Sequence, residues 1–254
     1  MRRTAVAALS IVALLAGSGC GGDDPRVEES REKLKSRSAS VRAAAARSLA
    51  EMGPASAEAA EDLAGLLRSD ANSAVRAHAA TALGQIGPEH EPVLPALLAA
   101  LTDSHPRVRA SACHALGRIG PEAAPAVPRL REILRGQDAS MRWWAMSALG
   151  GIGQPAAPAV DELIGLLDDP RGRIRSRAAW ALGQIGPAAQ PAIPRLTECL
   201  ADSDASVRSW AAASLGRMGP AARSAVPALE RLLEDPIPAV RQGAADALRQ
   251  IGKP

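Results

Sequence analysis

Val75-Arg76-Ala77-His78-Ala79-Ala80-Thr81-Ala82-Leu83-Gly84-Gln85-Ile86-Gly87-Pro88 returns almost letter for letter as Ile174-Arg175-Ser176-Arg177-Ala178-Ala179-Trp180-Ala181-Leu182-Gly183-Gln184-Ile185-Gly186-Pro187. Val41-Arg42, Val108-Arg109, Met141-Arg142, Val207-Arg208 and Val240-Arg241 mark further copies, so that successive units start 33 or 34 residues apart. A fixed period of this length is the signature of a solenoid. Its recurring positions build the fold, and the positions that vary between units carry what is particular to the protein.

Counting the Val or its equivalent as position 0, apolar residues fall at 0, 4, 7, 8 and 11, one face of an α-helix. This half of the unit is thus a helix of about eleven residues. A Gly follows it at 53, 87, 120, 153, 186, 219 and 252, where a left-handed helix stop belongs, with Pro next in five of the seven. The other half is also helical. Ala126-Val127-Pro128-Arg129-Leu130-Arg131-Glu132-Ile133-Leu134 has i, i+3, i+7 spacing, and its prolines sit in the first turn, where a missing N–H matters little. A short polar turn such as Ala201-Asp202-Ser203-Asp204-Ala205-Ser206 joins the halves.

Each unit is therefore an antiparallel helix pair, and the units run 25–53, 54–87, 88–120, 121–153, 154–186, 187–219 and 220–252. Neither helix buries its apolar stripe alone, so stacked neighbours must build one continuous core. In the first helix of the first unit, Ser30 and Lys33 replace apolar residues, as expected of a solvent-facing cap. Gly84, Gly117, Gly150, Gly183 and Gly216 stand inside the second helices, each costing about 1 kcal/mol of helix propensity. Close approach between helices is the expected compensation.

The string x-V-R-x-x-A-A-x-A-L-G-x-I-G-P, followed by A-x-P-A-V-P-x-L, resembles the short HEAT repeats first associated with phycobilin lyases, over residues 25–252. The resemblance implies an all-α, right-handed superhelix whose second helices line the concave surface. It leaves activity open, because such repeats serve lyases, hydroxylases, DNA glycosylase relatives and binding scaffolds alike. It also implies a ladder between units, formed by the position-1 Arg and an acid six residues before it: Asp70/Arg76, Asp103/Arg109, Asp169/Arg175, Asp202/Arg208 and Asp235/Arg241. Ser36 and Gly136 take the acid's place in repeats 1 and 4, where the ladder should weaken.

The N-terminus reads as an export signal. Met1-Arg2-Arg3 is basic, Ala5 to Ala16 is apolar but too short to span a membrane, and Gly17-Ser18-Gly19-Cys20 is a run of small residues ending in Cys. It resembles a bacterial lipoprotein signal, with Gly17 where Leu is usual, and implies lipidation of Cys20 and an exported, membrane-anchored protein; ordinary secretion is the alternative. Residues 1–19 are then the signal and 20–24 a short tether. Cleavage removes Arg2 and Arg3 and leaves 28 basic against 27 acidic residues, no global case for nucleic acid. Cys113 and Cys199 lie more than two repeats apart, too far for a disulfide.

No nucleophile–base pair, phosphate loop or paired carboxylates appear, so the chain is expected to be a non-catalytic monomer without cofactor or metal. His78 and His114 are candidates for one groove, but lack the His-Glu pairs of HEAT-type di-iron hydroxylases and a third ligand. The chain has no Phe or Tyr, and its four Trp fall on the second helices of repeats 4 to 6. Trp143 is at position 2, Trp144 and Trp210 at position 3, and Trp180 at position 6, with Arg177 among them. Trp143 is the one most open to reading as a gap filler between helices. Trp enrichment marks binding surfaces, and the expectation is a protein- or peptide-binding patch of Trp143, Trp144, Arg177, Trp180 and Trp210, with His78 and His114 nearby. An enzyme or small-ligand binder using the same groove, bilin-lyase-like, is the alternative.

Overall fold

The computed structural model describes residues 24–252. The signal segment, Cys20 and all of the tether but Asp24 lie outside the described residues; Asp24 itself caps the first helix by accepting from the Arg26 N–H. Seven helix pairs follow in chain order. The first helices are α1 (Pro25–Leu34), α3 (Ala60–Ser69), α5 (Val93–Ala100), α7 (Val127–Arg135), α9 (Val160–Gly165), α11 (Ile193–Cys199) and α13 (Val226–Arg231). The second helices are α2 (Ala39–Met52), α4 (Ser73–Ile86), α6 (Pro106–Ile119), α8 (Ala139–Ile152), α10 (Gly172–Ile185), α12 (Ala205–Met218) and α14 (Pro238–Ile251). Among the described residues there is no strand, and no helix is long and apolar enough to cross a membrane.

One continuous core runs through the stack. Its centre is the position-8 leucine, and Leu49, Leu83, Leu116, Leu149, Leu182 and Leu215 are all fully buried. Second helices pack on one another along their whole length, while first helices touch their neighbours much less. The tighter layer is that of the second helices, which the HEAT resemblance puts on the concave side. The mid-helix glycines make it possible: a Cβ on Gly84 would stand 2.6 Å from that of Ala115, and one on Gly117 3.1 Å from the Ala148 Cα.

The glycines after the second helices all have positive φ, as expected, but only Gly252 is in the left-handed helical region. Gly53, Gly120 and Gly219 pair φ between 58° and 83° with ψ near −131° to −141°. Gly153, followed by Gln154, takes the same conformation at φ 72° and ψ −137°, so the following proline fits it without causing it, and only glycine enters this region readily. At the N-terminal end Lys33 faces solvent and pairs with Glu29, whereas Ser30 is buried at 6% exposure, so only half of the expected polar cap is polar outward.

The ladder is present, with each Arg bridging two units. Arg42, Arg76, Arg175 and Arg208 each make a bidentate pair at 2.6–3.0 Å with the Asp of the following unit: Asp70, Asp103, Asp202 and Asp235. Their Nη1 groups also donate back to the main-chain oxygens of Ser36, Asp70, Asp169 and Asp202. Ser36 is thus no gap, because this position needs only its carbonyl oxygen when no described unit precedes it. Gly136 is a gap: Arg109 meets no carboxylate and bonds only to the carbonyls of Asp103 and Ser104. A weak joint between repeats 4 and 5, where the acid Asp169 is present, was not expected. Arg171 occupies Asp169 at 2.7–2.8 Å, Arg142 reaches it only at 3.4 Å, and the Arg142 Nε is buried without a partner.

Candidate functional site on the inner face

The two irregular joints flank repeat 4, and α6, α8 and α10 surround a groove open to solvent. On one side α6 and α8 are pressed together, since a Cβ on Gly151 would fall 2.2 Å from the Gly117 carbonyl oxygen. On the other side the Trp180 ring enters the space that a Cβ on Gly150 would occupy, 2.3 Å away. An indole takes the place that Ala or Ser fills at the other steps, and α8 and α10 pack less closely than any other adjacent second helices. The result is a mainly apolar cavity of about 450 Å³, whose walls include His114, Arg118, Trp143, Trp144, Arg177 and Trp180.

Asp138 fixes the start of α8 by accepting from the N–H groups of Ser140 and Met141 at 2.9 and 3.1 Å. Trp143 and Trp144 follow in the first turns, their rings edge-on with centroids 4.8 Å apart. His114 meets Trp144 edge-on at 6.3 Å. The Arg177 guanidinium lies over the Trp143 ring at 4.1 Å and the Trp180 ring at 4.5 Å, cation–π distances for both. Among the described residues nothing accepts a hydrogen bond from Arg177 or from the indole N–H of Trp143 or Trp144. Burial draws the Arg177 pKa below the ordinary guanidinium value. Burial, reinforced by Arg118, also lowers that of His114, leaving a neutral imidazole at neutral pH.

The expected patch is assembled in part. Trp143, read as the one most open to a packing role, faces the groove with Arg177 on it. Trp180 is instead the wedge between helices; with the Gln184 amide oriented to accept, its Nε1 donates to Gln184 at 3.0 Å, which also takes the Arg217 Nη1 at 2.7 Å. Trp210 stands outside the cavity at 37% exposure, so of the expected patch Trp143, Trp144, Arg177 and Trp180 come together and Trp210 does not. His78 is half-buried outside the cavity, its pKa lowered by burial and by Arg107 and Arg47. No cluster of metal-binding side chains occurs among the described residues. Cys113 and Cys199 are free and buried, and burial pushes the Cys113 thiol up to about 12.

Stacked antiparallel helix pairs, a close-packed inner layer and an Arg–Asp ladder define an α-solenoid of the helical-repeat class. The chain belongs to the HEAT-repeat family, whose model matches residues 27–97, 60–135, 127–216 and 193–254. Among solved structures it is similar to an engineered protein, with 26% identity and a TM-score of 0.64 over 89% of this chain and 68% of the other. The complex of CpcE and CpcF of phycocyanin lyase from Nostoc sp. PCC7120 shares the fold at 24% identity and a TM-score of 0.57, over 96% of this chain and 98% of the other. So does a designed armadillo repeat protein in complex with the peptide (KR)4, at 21% identity and a TM-score of 0.55, over 89% and 99%. No curated protein matches the sequence.

Proposed function

We propose that this protein is a non-catalytic scaffold that binds a protein or peptide segment through its concave face, centred on the groove of repeats 3 to 5, and that a lipid on Cys20 holds it at a bacterial membrane. One observation carries the binding reading: Trp143, Trp144 and Arg177 converge on an open cavity while the polar atoms of all three lack partners among the described residues. An indole combines a large rigid apolar area with one donor, the combination enriched where binding energy concentrates. The designed armadillo relative, which is in complex with a peptide, supports this use of the fold. The lyase complex is a fold likeness only, and the one thiol on the cavity wall, Cys113, is fully buried and pushed up to about 12, which disfavours its use as a nucleophile.

Crosslinking and capture from membrane extract, with wild type beside Trp144→Ala and Trp210→Ala, tests the reading. A partner lost with Trp144→Ala at an unchanged melting temperature supports it, whereas equal capture by both variants and wild type overturns it. Mass spectrometry of the native protein tests the anchor, and an unmodified N-terminus at any residue other than Cys20 overturns that part alone.

A further inference from the structure

Positions −1, 3, 6 and 10 of the second helices are one and two turns apart and lie on one face, the face that lines the cavity. In repeats 3 to 6 this register holds five arginines: Arg107 and Arg118 on α6, Arg173 and Arg177 on α10, and Arg217 on α12. Among the described residues none of the five meets a carboxylate. Most arginines on the first helices behave otherwise: Arg31 pairs with Asp62, Arg131 and Arg135 with Glu162, and Arg195 with Asp168 and Glu198. The second helices α4, α6, α8, α10 and α12 contain no Asp or Glu at all. Acids enter the same register only at the two ends of the stack, with Glu51 on α2 and Asp246 on α14. A chain of nearly balanced charge thus carries an arginine strip without acids on its middle second helices, while its first helices carry acids and bases in near-equal number.

We propose that this strip takes an extended acidic segment of a partner protein, with Arg177 as its carboxylate-binding anchor. The proposal rests on the reading of the inner face as a protein-binding groove and names the chemistry of its occupant. Arg177 is held over two indole rings, and its N–H edge has no acceptor among the described residues. That edge matches a carboxylate in bidentate fashion, and the stacking has already removed much of the side-chain freedom that binding would otherwise have to remove. The adjoining cavity, floored by Trp143 and Trp144, has room for an apolar side chain beside the acid. Helix layers spaced by about 10 Å spread the arginines over roughly 30 Å, the reach of about nine extended residues. A nucleic acid suits the strip less well. It brings a phosphate every ~3.4 Å per strand, more charge along the strip than five arginines offset.

The test is fluorescence anisotropy with the full protein and labelled peptides of about nine residues: oligoglutamate with one central leucine, and its glutamine and lysine counterparts. Oligothymidine and phosphatidylglycerol vesicles serve as the competing anions. Wild type is expected to bind the glutamate peptide at least about tenfold more tightly than the glutamine peptide, and less tightly as salt rises. Arg177→Gln is expected to lose about tenfold and Arg177→Lys several-fold, because an ammonium lacks the planar fork. Arg129→Gln, which removes the same charge from α7, should leave affinity within about twofold.

Equal binding of the glutamine or lysine peptide, lost in Trp144→Ala, overturns the acidic assignment and keeps the groove. Tighter, Arg177-dependent binding of oligothymidine or of vesicles overturns it in favour of those anions. Failure of every peptide overturns both readings. The peptide charge series is run on wild type, so its outcome does not depend on any variant folding.

Discussion

At the scale of single residues, the four tryptophans separate into two roles that one substitution each distinguishes. Trp180 fills the step between α8 and α10 and its N–H has an acceptor in Gln184, so Trp180→Ala should destabilise by about 3–5 kcal/mol. Trp210, 37% exposed and outside the cavity, should lose less than about 0.5 kcal/mol on the same change. Thermal melts of the two variants check this, and similar losses would contradict the assignment. The ladder aspartates make a pH prediction. Hydrogen bonds from Arg42, Arg76 and Arg175 hold Asp70, Asp103 and Asp202 below the usual carboxylate range. A lowered folded pKa means stability that is fully present above the unfolded value of about 3.9 and is lost as pH falls through the folded one. His78 and His114, lowered by burial, act in the same direction from about pH 6.5 downward. Melting temperature should therefore fall on acidification in two stages, and Asp202→Asn should shrink the lower one.

At the scale of elements, the joints are unequal. The α6–α8 joint lacks a carboxylate because Gly136 stands where Asp70 and Asp169 stand in their units. Gly136 has φ −69° and ψ 167°, extended like Asp70 at φ −63° and ψ 132°, so an aspartate can adopt its backbone conformation, with the Ile133 carbonyl oxygen, 3.2 Å from the new Cβ, giving way slightly. Gly136→Asp should give Arg109 its missing partner and also reduce the freedom of the unfolded chain, raising stability by about 0.5–1.5 kcal/mol. A melt of the single variant checks it, and the double variant with Arg109→Gln should keep only the backbone part of the gain. At the α8–α10 joint the acid is present but engaged by Arg171. The unit that carries Trp143 and Trp144 is thus the least firmly tied to its neighbours by the ladder.

At the scale of the whole molecule, stability is a sum of unit and interface contributions rather than one all-or-none quantity. Leu182 is fully buried at the centre of repeat 5, so Leu182→Ala should cost roughly 2–5 kcal/mol. Hydrogen exchange should show the loss concentrated in repeats 4 to 6, with repeats 1 and 7 much less affected. Uniform loss across all repeats would contradict the quasi-linear picture. The arginine strip, free of acids from α4 to α12, is also a property of this scale, since no single helix pair displays it.

The helix pairs, the buried leucines and the ladder residues were legible in the amino-acid sequence, because a 33-residue period repeats each local rule until chance is excluded; the helix ends were not, since the second helices run 14 residues rather than about eleven and take in Ala205 and Ser206, read as turn. The variable positions likewise pointed to Trp143, Trp144, Arg177, Trp180 and His114. Which tryptophan wedges and which faces solvent was not legible, since positions 2, 3 and 6 share one side of a helix. Their fates depend on the distance to the next helix, which Gly150 and Gly151 set differently on the two sides of α8. The loss of Asp169 to Arg171 was hidden for the same reason: two arginines compete for one carboxylate across units, and only packing in three dimensions decides which one reaches it.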